Sequence, residues 1–290
     1  MNAREAGLKT PAMGTRVVAR DGTRLARFTP ALTGARTIAE GRCSGHNVRM
    51  AQDTDAAPPY AILAALPEEL DALSEYVHAK RRLQGLEVWD LNLGPAQAVA
   101  CVGGVGKVNA AHAASVLLSQ AGARGLFVVG VCGGLRRALT PATLVHCERA
   151  VQTDSALRSE REVASDPGLL GAWRTVAPGP QGWFLTADRP VLSLWRRVRL
   201  ARAFLGTCVA DMETAAAAAV ARRAGVPWAA LRAVTDGATE GAMVSFRKNF
   251  AVQSGRAASS VPALVVALEN SRHRLLRPEG GALAHPEGSQ

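Results

Sequence analysis

VADMETAAAAAVARRAGVPWAALRAVTDGA, residues 209–238, reads as one helix followed by one strand. Asp211 is a good N-cap, ahead of Met212, Glu213, Thr214 and an alanine run with Arg222 and Arg223 in the last turn. Gly225 stops the helix, and Pro227 follows two residues later. Trp228 to Val234 is almost wholly apolar, as a strand buried on both faces has to be. It ends on Thr235-Asp236-Gly237. Ligands of open α/β sheets bind where the strands stop, which makes Asp236 a candidate site residue. Glu213, placed in the first helical turn where the helix dipole stabilises its charge, is the second. One acid after each element lets two carboxylates face a single pocket. The plainer reading is a surface helix and a core strand that ends in a turn aspartate.

Working outward, 290 residues with 48% hydrophobic content can bury a substantial core. No run approaches the ~20 apolar residues of a membrane span. A net charge of +10 raises nucleic acid or an anionic membrane as partners. Nucleic acid is nevertheless not expected, because aromatics are only 4% and basic clusters that read nucleic acid are interleaved with stacking rings. The arginine- and alanine-rich composition fits a GC-rich genome equally well. Cysteines 43, 101, 132, 147 and 208 form no CxxC pair, which points to free thiols in a reducing cytoplasm. The histidines show no HExxH spacing, so neither a metal nor a cofactor is indicated.

Along the chain, residues 1–57 read as a basic, loosely ordered extension closed by Pro58-Pro59, residues 58–272 as the folded domain, and residues 273–290 as a flexible tail. Tyr60 to Leu66 is a buried strand, and Pro67 opens a helix with Leu70, Leu73 and Val77 at helical spacing and Glu68 and Glu69 in its first turn. Leu86–Leu93 and Ala96–Val102 form a hairpin about Gly94-Pro95. Gly103-Gly104-Val105-Gly106-Lys107-Val108-Asn109 opens a helix to about Gln120. A phosphate loop would need Gly at Cys101 and Ser or Thr at Val108, and a dinucleotide fingerprint would need Gly at Asn109, so both fail. Leu126–Val129 is a strand running into the glycine loop Gly130-Val131-Cys132-Gly133-Gly134, and Thr143–Ala150 is another. Residues 151–181 look irregular. Trp183–Thr186 is a strand, Ala187-Asp188 a turn, and 191–204 a helix with Arg196, Arg197, Arg199 and Arg202 spread around it. A closing helix runs to about Glu269.

These motifs resemble the nucleoside phosphorylase/nucleosidase superfamily, especially the methylthioadenosine/S-adenosylhomocysteine nucleosidases. Their Glu-Met-Glu-Ser, alanine-rich helix, Val-Pro turn and strand ending Ser-Asp stand here as Asp211-Met212-Glu213-Thr214 and Thr235-Asp236. Their Gly-Ile-Gly-Lys-Val-Asn segment stands as Gly104 to Asn109. The resemblance implies a three-layer αβα fold about a mixed, mostly parallel twisted sheet, and hydrolysis of a purine N-glycosidic bond. It assigns Asp236 as the acid that protonates N7 and Glu69 as the base on water. Glu213 would hold the ribose hydroxyls with Met212 on the sugar face. Val191 would lie by the base edge, Phe246 at the substituent end, and Gly130 and Val131 in the loop below. Phosphorolytic relatives carry an arginine and a serine where Val128 and Val131 stand, so water is the expected acceptor. Asp188-Arg189-Pro190-Val191, with Pro190 in place of a stacking aromatic, is closer to a hopanoid-associated branch; a membrane contact is not expected, and stays open only if the substrate is a hopanoid. Purine nucleoside phosphorolysis and a catalytically silent nucleoside-binding protein stay open, the latter on Val131 and Pro190. The implied protein is a cytoplasmic homodimer whose partner is a small purine nucleoside.

Overall fold

In a computed structural model, residues 57–156, 161–238 and 241–276 are described. The expected extension up to residue 56, Cys43 within it, and the tail beyond residue 276 lie outside them. In chain order the elements are β1 (Tyr60–Ala64), β2 (Val77–Leu83), β3 (Leu86–Asn92), β4 (Gln97–Val102), α1 (Lys107–Ser119), β5 (Gly125–Gly134), β6 (Leu144–Gln152) and β7 (Glu162–Ala164). Then follow α2 (Pro167–Val176), β8 (Gln181–Thr186), α3 (Leu194–Ala203), β9 (Cys208–Asp211), α4 (Thr214–Ala224), β10 (Trp228–Asp236), α5 (Ala242–Gln253) and α6 (Val261–Leu276).

The sheet runs β10-β6-β8-β9-β5-β1-β4-β3-β2, with β7 on β6 and a further pairing of β10 with β5. That last pairing closes β5, β10, β6, β8 and β9 into a ring. The sheet is therefore a partial barrel with an open wing, rather than the open sheet of a three-layer sandwich. It is mixed, but not mostly parallel. β1 pairs parallel with β4 and β5, β5 with β10, and β8 with both β6 and β9, whereas β2–β3, β3–β4, β5–β9, β6–β7 and β6–β10 are antiparallel.

The apolar runs of β1, β5 and β10 are buried on both faces, and their alternation sorts two cores. Ala61, Leu63, Leu126, Val128, Ala230 and Val234 pack with α1 and α4. Tyr60, Ile62, Phe127, Val129, Ala229 and Leu231 pack with α2 and α6. Small residues allow the first of these: Ala217 and Ala218 of α4 and Ala113 and Ala114 of α1 are all fully buried. The second is pinned by Tyr60, whose hydroxyl donates to Glu269 Oε1 at 2.9 Å while Arg124 reaches the same oxygen at 2.7 Å.

Several local readings change. The helix expected from Pro67 is two short 3-10 turns, Pro67–Glu69 and Asp71–Tyr76, and Val77 begins β2. β5 continues as strand through Gly134, so the expected glycine loop is extended backbone. The stretch taken as irregular holds β7 and α2, the latter N-capped by Asp166, which accepts from Leu169 N. Asp211 ends β9 and its Oδ2 still accepts from Thr214 N–H, the first amide of α4, at 3.3 Å, while Glu213 stands at the N-cap position rather than inside the first turn. α6 runs through Leu276, past the expected helix end near Glu269.

Because Ala217 is fully buried in the core that α4 shares with α1 and the sheet, Ala217→Leu overpacks it. A loss of about 1–3 kcal/mol is expected in a denaturant-unfolding series.

Candidate active site

Ring closure brings four strand ends to one place. Thr186 pairs with Asp211, Gly133 with Ala210, and Asp236 with Gly133. Above them lies a cavity of about 280 Å³ lined by Glu69, Val131, Val191, Met212, Glu213, Asp236 and Phe246, among others. Every residue singled out from the sequence therefore meets at this cavity except Gly130. Gly130 stands directly behind it, and its φ of +144° lies where side chains are disfavoured. A Cβ at Gly130 would strike Glu69 Oε1 and come within 2.8 Å of Glu69 Cδ. The glycine makes room for the acid.

Glu69 is buried at the end of its 3-10 turn. Oε2 accepts from the backbone N–H of Ala65 (2.8 Å) and Leu66 (3.0 Å), and Oε1 from Val131 N–H at 2.9 Å. A carboxylate offers about four acceptor positions, so Glu69 keeps one for a ligand. Burial raises its pKa, against Arg232 and those three amides, which favour the charged form.

Glu213 is held from two sides. Gly106 N–H donates to Oε1 at 3.0 Å and Arg232 Nη2 to Oε2 at 3.0 Å. Its pKa is also raised, by burial first, with Arg232 opposing and Asp211 adding to it. Asp236 ends β10, with Oδ1 accepting from Ala238 N–H at 2.7 Å and Oδ2 lying 2.9 Å from Thr235 Oγ1. Burial raises its pKa as well, and the Ala238 and Thr235 bonds only partly offset that.

Sequence reasoning missed the residue at the centre. Arg232, in the middle of β10, is 2% exposed. Its Nε lies 3.1 Å from both Asp211 Oδ2 and Thr214 Oγ1, Nη1 donates to Val131 O at 2.9 Å, and Nη2 meets Glu213. Burial works against its charge, but Asp211, Glu213 and Glu69 outweigh that and raise its pKa. The signal was present: one cation inside AALRAV, where buried charge requires partners. Thr186 and Asp211 were also missed as a pair. Thr186 Oγ1 donates to Asp211 Oδ1 and accepts from Ala215 N–H, tying β8, β9 and α4 together.

A second clasp sits at the rim. Lys107 Nζ meets Asp154 Oδ1 at 2.7 Å and Asp188 Oδ2 at 3.3 Å. Gly106 and Lys107 thus join the segment that steadies Glu213 to the turn leading into Pro190 and Val191.

Residues 59–268 match the family described as the phosphorylase superfamily. The 5'-methylthioadenosine/S-adenosylhomocysteine nucleosidase of Treponema pallidum is 30% identical over 236 residues, covering 67% of this chain and 87% of that protein. The protein of the same name from Mycobacterium bovis is 27% identical over 227 residues, covering 64% and 89%. Among solved structures, the Neisseria meningitidis nucleosidase in complex with methylthio-immucillin-A superposes with a TM-score of 0.68 at 24% identity, covering 72% of this chain and 99% of that one. The Helicobacter pylori futalosine hydrolase superposes at 0.65 and 21% identity, covering 73% and 97%. At these identities the structural likeness speaks for the fold.

Arg232→Met removes a buried cation and leaves Asp211 and Glu213 unpaired. We expect a loss of about 3–5 kcal/mol by denaturant unfolding. A raised carboxyl pKa means the folded state holds its proton more tightly than the unfolded chain. The stabilising effect of that proton is complete below the unfolded carboxylate pKa and is lost as pH rises through the raised folded value. Asp236→Asn removes one such group, so its melting temperature should fall less than that of the parent across that window.

Proposed function

The chain belongs to the phosphorylase superfamily and is an enzyme of its purine-nucleosidase kind; we propose that it hydrolyses the N-glycosidic bond of a 5'-substituted adenine nucleoside such as 5'-methylthioadenosine or S-adenosylhomocysteine. The observation that carries this reading is the convergence of Glu69, Glu213 and Asp236 on one cavity, each in a different hydrogen-bonding environment.

Cleaving that bond requires a protonated leaving base and an acceptor for an oxocarbenium-like ribose. Asp236, whose pKa burial raises, is the acid that gives a proton to N7 of the purine. Glu69, with one open acceptor position, orients a water molecule and takes its proton. An acid at the leaving group and a base at the water is the arrangement of inverting glycosidases. Glu213 accepts from the ribose hydroxyls while Gly106 and Arg232 fix its carboxylate, and Met212 packs on the sugar.

Phosphate is disfavoured as acceptor. Each nitrogen of the Arg232 guanidinium already meets a protein oxygen, Val128 and Val131 offer no side-chain donor, and Glu69 adds negative charge. A phosphate dianion left without donors would cost several kcal/mol. The cavity lining is mostly aliphatic, with Met243 and Phe246 added, which supports an apolar 5' substituent. A longer aliphatic substituent, as on a hopanoid nucleoside, is the second reading. It is supported by the partly exposed Val105, Leu192 and Met243 at the rim. A cytoplasmic homodimer belongs to the same proposal, and the buried free thiols of Cys101, Cys132, Cys147 and Cys208 suit a reducing compartment.

Adenine release from 5'-methylthioadenosine, followed with and without phosphate, tests the reading. The expected rate is the same in both, and strict phosphate dependence or no release would overturn it. Asp236→Asn and Glu69→Gln should each lower kcat by about 10²–10⁴-fold without loss of folded protein, and parental turnover in either removes its assigned role. The parent's rate should fall as pH rises through the raised pKa of Asp236.

A further inference from the structure

We propose that the outward face of α3 is a docking surface for an anionic lipid bilayer, held beside the mouth of the cavity. This goes beyond the proposed reaction and does not depend on it.

The inward side of α3 is anchored by Ala201, which is buried, with Arg197 and Leu200 half-buried. The outward side is apolar and cationic together. Trp195 is 70% exposed, Leu194 49% and Val198 37%, and Leu205 just past the helix is 82% exposed. Arg199, one turn beyond Trp195, lies with its guanidinium carbon 5.4 Å from that ring's centroid, and Arg202 is exposed on the same side. At the other end the face runs into the site: Leu192 is 38% exposed and, with Arg189 and Pro190, also lines the cavity.

The charge of this strip has one sign. From Arg189 to Ala210 the sequence holds no acidic residue, and of its arginines Arg199 and Arg202 stand on the outward side with Arg189 at the cavity mouth. The neighbouring Asp188 is engaged by Lys107 at 3.3 Å. An exposed indole among aliphatic side chains, edged by guanidinium groups, matches the headgroup layer of a bilayer. There the ring sits at the interface, the aliphatic groups below it, and the arginines on lipid phosphates. The attachment is peripheral, since no helix among the described residues is long and apolar enough to cross a membrane.

Two other occupants fit less well. A second copy meeting this face about a two-fold axis would set the same arginines against one another. A nucleic acid would gain from Trp195 and the arginines, but would leave Leu192, Leu194, Val198 and Leu205 with nothing to stack on.

The test is flotation of the full-length protein with vesicles of equal parts phosphatidylglycerol and phosphatidylcholine, against phosphatidylcholine alone. The protein should float with the anionic vesicles only, and added salt should release it. Arg199→Gln and Arg202→Gln should each weaken partitioning about fivefold, and Trp195→Ser about tenfold or more, with melting temperatures unchanged. Failure to bind anionic vesicles at low salt, equal binding to neutral ones, or variants that float like the parent would each overturn the proposal. So would a drop in sedimenting mass for Trp195→Ser, which assigns the face to a second copy. Tighter retention of a polynucleotide, lost in the same variants, would assign it to nucleic acid. None of these readouts involves adenine release, so they stand or fall apart from the reaction.

Discussion

One buried guanidinium organises the site. Arg232 sits inside a strand whose other side chains are mostly apolar, and a lone charge there would be prohibitively costly. Asp211, Glu213, Thr214 and the Val131 carbonyl make it tolerable, and in doing so each is fixed in place. Val131 turns its carbonyl to Arg232 and its N–H to Glu69. The same peptide segment therefore couples the Arg232–Glu213 side of the cavity to the Glu69 side. A cation whose every nitrogen meets a protein oxygen is a scaffold for carboxylates rather than a receptor for an anion.

The closed ring of strands supplies the geometry for this arrangement. An open sheet would leave the ends of β9 and β10 apart. Closure through β5 sets Ala210 beside Gly133 and Asp236 beside Gly133 in turn. Glycines occupy the crowded positions: a Cβ at Gly133 would come within 3.1 Å of Asp236 Oδ1, and one at Gly130 would collide with Glu69. Burial then acts on all three site acids in the same direction, raising each pKa, while their different hydrogen bonds set them apart. Glu69 accepts three backbone donors, which favour its charged form against burial, whereas Asp236 has only the Ala238 and Thr235 bonds to do so.

Much of this was legible in the sequence because the signals were local. The alanine run ending at Gly225, the apolar strand after Pro227 and the acids at 213 and 236 all stand in their expected neighbourhood. The hairpin about Gly94-Pro95 also forms as its turn chemistry dictates. What was missed depends on long-range pairing. The ring needs β10 to pair with β5, a contact that periodicity does not carry. Leu70, Leu73 and Val77 have helical spacing, yet Val77 joins β2 and the preceding residues form two short turns, so tertiary context overrode the pattern. Gly130 to Gly134 read as a loop by composition, but β10 pairs along one edge, while the Glu69 and Arg232 side chains at Val131 and β9 at Gly133 and Gly134 hold the segment extended. A single arginine in an apolar strand names no partner until the fold shows four, so Arg232 is not legible as a site residue.

A crystal structure with a non-hydrolysable 5'-substituted adenine nucleoside analogue tests the central claim most directly. The account predicts ribose hydroxyls on Glu213, purine N7 within hydrogen-bond distance of Asp236, and an ordered water on the free position of Glu69, with Arg232 unmoved. An analogue bound elsewhere, or a sugar seated in this cavity without contact to Glu213 or Asp236, would contradict it.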